Sequence, residues 1–359
     1  MIYLDNQATT PLAPEALAAM LPWLAGPEAQ GFANPHSPHR PGRAAAAAIE
    51  VAREQVAALL PPGGRVVFTS GATEAINLAV LGAAHARIAR SAVEHAAVID
   101  AVAASGAAVE ALPVGADGRV DPEVEFAPGT GLVAVMQVNN EIGTVQPVER
   151  LAARAHQAGA LVLCDAVQGA GKLPPPVGAD FVAVSAHKLY GPKGVGALWI
   201  RDGLALAPRM HGGGQEQGLR SGTLSPALCA GFGAAAALAV ARMDADRRHL
   251  VDLSQRARAI LSGWTLNGSA SDRWPGNLNL RCDGLDVARL MSDLRDIAFS
   301  AGSACASGSG RPSHVLKAIG LDTRQARSSI RLGFGRYTTR DEVEDACRQI
   351  EQAARSQGV

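Results

Sequence analysis

Lysine is almost missing from this chain of 359 residues: of 33 basic side chains 29 are arginine, leaving Lys172, Lys188, Lys193 and Lys317. A GC-rich genome that spells basic residues as Arg and small ones as Ala accounts for the bias, but any chemistry that needs an amine still has four candidates. Aromatic residues are also scarce, at 4%, which excludes an RNA-binding surface built on stacked rings. Net charge is absent, with 33 basic against 33 acidic residues, so there is no electrostatic footprint for nucleic acid or an anionic membrane. The five cysteines, Cys164, Cys229, Cys282, Cys305 and Cys347, form no CxxC pair and no Cys/His cluster of the zinc type. Their odd number and wide spacing point to free thiols in a reducing compartment. No basic residue precedes Arg40, and Asp5 interrupts the first apolar stretch. The signature of a secretory leader is therefore lacking, and a cytoplasmic protein is expected. Residues 221–241 carry no charge, yet their Gly, Ser, Thr, Pro and weakly apolar Ala predict a buried or interface helix, not a membrane span.

What is present reads as an α/β enzyme. At roughly 150 residues per domain the length suits two domains, and 48% apolar residues are enough for a large core. Short apolar, β-branched runs alternate with helical stretches from about residue 65, the pattern of βαβ units around a mainly parallel sheet. Strands are expected over 66–69, 91–93, 109–114, 132–138, 161–165, 181–185 and 196–200, making one seven-stranded sheet. Helices are expected over 73–86, 95–105 and 148–158. The turn at 190–194 is too short for a crossover helix, which predicts an antiparallel final strand. Beyond it lie a long helix over 234–261 and short strands at 277–281 and 329–333, read as a smaller α+β domain. The expected division is 15–244 for the large domain, with 1–14 and 245–359 forming the small one. The small-residue stretch from Ser300 to Gly310 predicts a mobile loop.

Parallel sheets bind ligands beyond the carboxyl ends of their strands, and several of these ends are polar. Thr69-Ser70-Gly71-Ala72-Thr73-Glu74 is a strand-to-helix turn suited to a phosphate, or equally a plain helix cap. The strand at 132–138 runs into Asn139-Asn140-Glu141. The next ends in Asp165, followed by Gln168. A carboxylate there wants a positive partner such as a charged ring N–H, unless it simply caps a helix. The strand at 181–185 leads into Ala186-His187-Lys188, and Lys188 is a candidate for a Schiff base with an aldehyde cofactor. Lys193 competes, but its Gly-Pro-Lys-Gly turn reads as solvent-facing.

Together these residues resemble the cysteine desulfurases, a group of class V aminotransferase-like, pyridoxal-phosphate enzymes of fold type I. The matching stretches begin with Tyr3 to Pro11, Phe32 to Ser37, Thr69 to Glu74, and Glu94-His95. They continue with Val138 to Gly143, Cys164 to Gln168, Ser185 to Gly194, His211 to Thr223, Gly302 to Cys305 and Ser328 to Arg331. The matches span nearly the whole chain in order. The resemblance implies that Lys188 holds pyridoxal 5'-phosphate and that Asp165 keeps its ring nitrogen protonated. It implies that Ala72, Thr73, Ser185 and His187 bind the phosphate, joined by Thr223 from a neighbouring subunit of a homodimer. Asn140 and Gln168 would contact the phenolic oxygen side of the ring, and His95 would stack on its face and assist proton transfer. Arg331 with Asn34 would clamp the carboxylate of L-cysteine. Cys305 would attack the substrate sulfur as a thiolate and leave as a persulfide, for delivery to an acceptor protein of iron-sulfur cluster assembly or tRNA thiolation.

Two departures stand out. Ala186 replaces the glycine usual before the His-Lys pair, and the chain ends at Val359 where many members continue with a tail that docks an iron-sulfur scaffold. The long spacing from Cys305 to Pro312-Ser313-His314 resembles the group that delivers sulfur without an obligatory activator. The same fold also carries C–S lyases, selenocysteine lyases and aminotransferases, in which Cys305 would be incidental, and it can serve as a non-catalytic partner subunit. The Cys305 loop counts against the former, and intact Lys188, Asp165 and Arg331 against the latter.

Overall fold

Seven apolar runs pair into one central sheet in the order Gly64–Thr69, Gly196–Arg201, Phe181–Ser185, Leu161–Asp165, Leu132–Met136, Arg87–Ser91, Ala108–Leu112. A computed structural model describes residues 1–24, 26–29, 31–302 and 313–359, so Cys305 lies outside the described residues. Every strand runs in one direction except Gly196–Arg201, which is antiparallel to both neighbours, as the short turn before it requires. The strand expected at 91–93 lies earlier, at Arg87–Ser91. Arg87 and Arg90 disguise it as polar, although Ile88 and Ala89 are buried.

Successive side chains of a strand point to opposite faces, and here both faces are covered. Val133, Val135, Val162, Val182, Val184 and Trp199 pack with residues of the helices Pro14–Met20, Arg40–Ala57 and Val148–Gln157. Leu132, Ala134, Leu163, Ala183, Leu198 and Ile200 pack with Ala72–Ala83 and Ala96–Ala104 on the other side. That is why these strands read as unbroken apolar runs. It also leaves the polar strand ends as the place where chemistry can be exposed.

The helix Pro226–Ile260 starts eight residues before the expected 234, because Ser225 caps it by accepting from Leu228 N and Pro226 fills its first position. By length and composition it could cross a membrane. In the fold, Phe232, Ala235 and Ala239 join the central-sheet core, while Leu250, Leu253 and Ala257 join a second core. This second core lies under a four-stranded antiparallel sheet, Ser300–Ala301, Ser329–Gly333, Asn277–Arg281 and Thr265–Leu266. Val343, Ala346, Cys347 and Ile350 of the helix Arg340–Ser356 close it.

The N-terminus links the two cores. Ile2–Tyr3 pairs in parallel with Ile297–Ala298, and Gly333 N donates to Leu4 O. The chain then crosses to the central sheet, where Thr10 N donates to His187 O and Ala13 N to Tyr190 O, both at 2.9 Å. Residues 5–10 thus run past the carboxyl ends of the central strands.

Candidate active site

The strand Phe181–Ser185 gives way to a single tight turn, Ala186–Lys188. Ala186 is fully buried, and a Cβ at Gly191 would lie 2.8 Å from the Ala186 Cβ. The extra methyl at 186 is accommodated because Gly191 closes the loop without one. Tyr190 takes a left-handed conformation (φ 69°). Its N–H donates to Thr10 Oγ1 at 2.7 Å, and its hydroxyl accepts from Arg336 N at 2.6 Å. With the turn fixed in this way, Lys188 Nζ reaches Gln7 O at 2.7 Å and Ala8 O at 2.6 Å and donates to both.

Lys188 opens onto a cavity of about 470 Å³, shared with Ala72, Thr73, His95, Asn140, Asp165, Gln168, Ser185, His187 and Arg331. Ten of the thirteen residues expected in the site therefore meet in one cleft. Asn34 is not among the residues lining it; its Oδ1 accepts from His36 N at 2.9 Å. Thr223 is exposed and likewise not among the lining residues. Cys305 lies outside the described residues.

Asp165 ends its strand at the base of the cleft. Its Oδ1 accepts from Val167 N at 3.0 Å, and it forms no ion pair within 4 Å among the described residues. Burial raises its pKa, while the Val167 N–H and the charges of His95 and Lys188 pull the other way. A buried carboxylate facing a cleft in this state suits a cationic ring N–H. His95 caps the helix Ala96–Ala104, its Nδ1 accepting from Ala97 N at 3.1 Å. Burial, with the charges of Lys188, Lys193 and Lys172, pulls the His187 pKa down to about 4. His187 is therefore neutral at pH 7, with Nδ1 3.1 Å from Thr9 Oγ1.

Another part of the lining suits a phosphate. The helix Ala72–Ala83 begins at Gly71 with no side-chain cap, leaving its first N–H groups to face an anion. Gly71 comes so close to the antiparallel strand that a Cβ on Gly196 would lie 2.7 Å from its Cα. Ser70, Thr73, Ser185 and Lys193 supply donors around the same space. The nearby Glu74 carboxylate pairs with Arg220 Nε at 2.7 Å. A cavity of this size, lined by an amine, a buried carboxylate and donors at a helix N-terminus, fits pyridoxal 5'-phosphate.

Arg331 reaches the cleft from the small sheet. It is 1% exposed. Its Nη2 pairs with Asp5 Oδ1 at 2.6 Å and donates to Ser300 Oγ at 3.2 Å, and Nη1 donates to Asn140 O at 3.1 Å. No sequence pattern assigns a task to Gln7 and Ala8, whose contribution is backbone carbonyls, and the Gly-Pro-Lys-Gly turn reads as carrying the competing Lys193 toward solvent. Lys193 is indeed exposed, but it stands at the cleft rim. The position of the Tyr3 to Pro11 stretch within the resemblance was the one available signal for Gln7 and Ala8.

Comparison with known proteins shows the family and the fold. The aminotransferase class-V family matches residues 2–345. The cysteine desulfurase IscS of Anaeromyxobacter sp. (strain Fw109-5) is 43% identical, over 99% of this chain and 92% of that one. The chain belongs to the cysteine desulfurases. The mitochondrial cysteine desulfurase of Arabidopsis thaliana is 42% identical, over 96% of this chain and 80% of its own. Among solved structures, a NifS-like protein shares the desulfurase fold with a TM-score of 0.89 at 33% identity, covering 98% of each chain. A structure of SspA in complex with cysteine reaches a TM-score of 0.82 at 33% identity, over 94% of this chain and all of that one.

Proposed function

We propose that the cleft holds pyridoxal 5'-phosphate on Lys188 and L-cysteine beside it, and that the substrate sulfur passes to Cys305. Net, L-cysteine and the Cys305 thiol give L-alanine and a Cys305 persulfide. The observation that carries the reading is the pairing of Lys188, at a strand end, with buried Asp165 across one cavity. The cofactor, when bound, supplies an electron sink for bond breaking at the substrate. The protein does the rest. Asp165 pairs with the ring N–H, and Ala72, Thr73, Ser185 and His187 hold the phosphate, together with Thr223 from a second copy of the chain. Asn140 and Gln168 face the phenolic oxygen, and His95 lies over the ring. Arg331, assisted by Asn34, holds the substrate carboxylate, and Lys188 Nζ moves the Cα proton. The acceptor of the persulfide is a protein, serving iron-sulfur cluster assembly or tRNA thiolation in the cytoplasm.

The test is to supply purified protein with pyridoxal phosphate and L-cysteine and to quantify alanine and protein-bound persulfide. Wild type forms both, Lys188→Ala forms neither, and Cys305→Ser forms no persulfide on residue 305. Alanine and sulfide release at the wild-type rate by Cys305→Ser would overturn the role of Cys305.

A further inference from the structure

The chemistry above leaves Lys172, an amine beside the cleft, without a task. Lys172 sits in the turn that follows Gln168, its backbone N donating to Gly169 O. Its Nζ lies 3.4 Å from Gln168 Oε1, and it forms no ion pair within 4 Å among the described residues. The Gln168 side chain is buried, and its Nε2 donates at 2.9 Å to Gln7 O. That same carbonyl accepts from Lys188 Nζ.

An ammonium or amine presents donors, and a carbonyl accepts. Lys172 therefore demands Oε1 on its side and Gln7 O demands Nε2 on the other, so both neighbours select one orientation of the amide. Gln7 O takes one Nε2 proton, which leaves the second for the cleft that Gln168 lines. Without Lys172, Oε1 would be a buried acceptor lacking its partner, and nothing would oppose a turn of the amide away from the cleft except the Gln7 bond. A donor on Oε1 also polarises the N–H groups at the other end of the amide. Burial pulls Lys172 down to about 7, and the charge of nearby Lys188 adds to this.

We infer that Lys172 is a positioning residue: its amine on Gln168 Oε1 keeps a Gln168 N–H turned toward the phenolic oxygen of the bound pyridoxal ring. The inference rests on the proposed cofactor site. It differs from that proposal in predicting coupling between two side chains that share no bond to Lys188.

The test is a double-mutant cycle on cofactor binding. Apoprotein is titrated with pyridoxal phosphate, and the dissociation constant and visible absorption maximum are recorded for wild type, Lys172→Met, Lys172→Gln, Gln168→Ala and the Met/Ala double variant. Lys172→Met weakens binding roughly fivefold, the scale of one lost hydrogen bond, and shifts the absorption maximum. Lys172→Gln, which keeps an N–H donor, recovers most of both. In the Gln168→Ala background the Met substitution adds less than about twofold. A full penalty in that background, or an unmoved maximum and affinity in Lys172→Met, overturns the inference. Lys172→Ala carries the same cycle should the Met variant fail to fold. Wild type that takes up no cofactor fails the site reading itself. Wild-type uptake with uncoupled variants fails the Lys172 inference alone.

Discussion

Asp165 and Glu94 are two buried carboxyl groups near the ends of central strands, and burial raises the pKa of both. They are held differently. Glu94 is sealed: Oε1 accepts from Ser91 Oγ at 2.5 Å and from Met136 N at 2.9 Å, while Oε2 has no partner among the described residues. Desolvation, with the nearby Asp165 charge, pushes it up to about 8, so it is protonated at neutral pH. Asp165 faces the cleft, where His95 and Lys188 favour its charge. One chemical group is thus sealed behind the strands in one place and open to the cleft in the other.

The largest expected effect would break or support this contrast directly. Asp165→Asn lowers kcat/KM for alanine formation by roughly 10²–10³, the loss seen when a preorganised electrostatic partner is removed. Glu94→Gln, which mimics the protonated state, stays within about threefold of wild type. Equal losses at the two sites would dissolve the distinction.

Stability gives the next contrast. The folded-state pKa of Glu94 lies above its unfolded value, so its contribution is full at acid pH and is lost as pH rises toward about 8. In urea unfolding of the apoprotein, wild type loses roughly 3 kcal/mol relative to Glu94→Gln between pH 5.5 and 8. A pH-independent difference would place the Glu94 proton elsewhere.

Arg331 tests the other wall of the cleft. Its guanidinium is positioned by Asp5, Ser300 and Asn140, and Lys keeps the charge but not the fork. Arg331→Lys raises KM for cysteine by about tenfold, with a smaller change in kcat. The smallest effect is expected at the other thiols. Burial pushes Cys229 and Cys347 up to about 12 and raises Cys282, so none of them supplies a thiolate at neutral pH. Cys282→Ser leaves turnover within about twofold.

Much of this was legible in the sequence. Strand ends at Asp165 and Lys188 are read from apolar runs that stop at a polar residue, and both lie where expected. The antiparallel strand follows from a turn too short for a helix. What escaped has a common cause. The Asp5–Arg331 ion pair joins residues 326 positions apart, a distance no local pattern records. Gln7 and Ala8 act through carbonyls that every residue has. Arg87–Ser91 was misplaced because two arginines interrupt the apolar signal, although their neighbours carry the burial.

Lys188, of four lysines, is the residue proposed to carry the cofactor. The most direct measurement is to load the protein with pyridoxal phosphate, reduce it with borohydride and locate the pyridoxyl group by peptide mass spectrometry. Modification of Lys188 is the predicted result. A label on Lys172, Lys193 or Lys317 in its place, or no label on a protein that still forms alanine, would contradict the account.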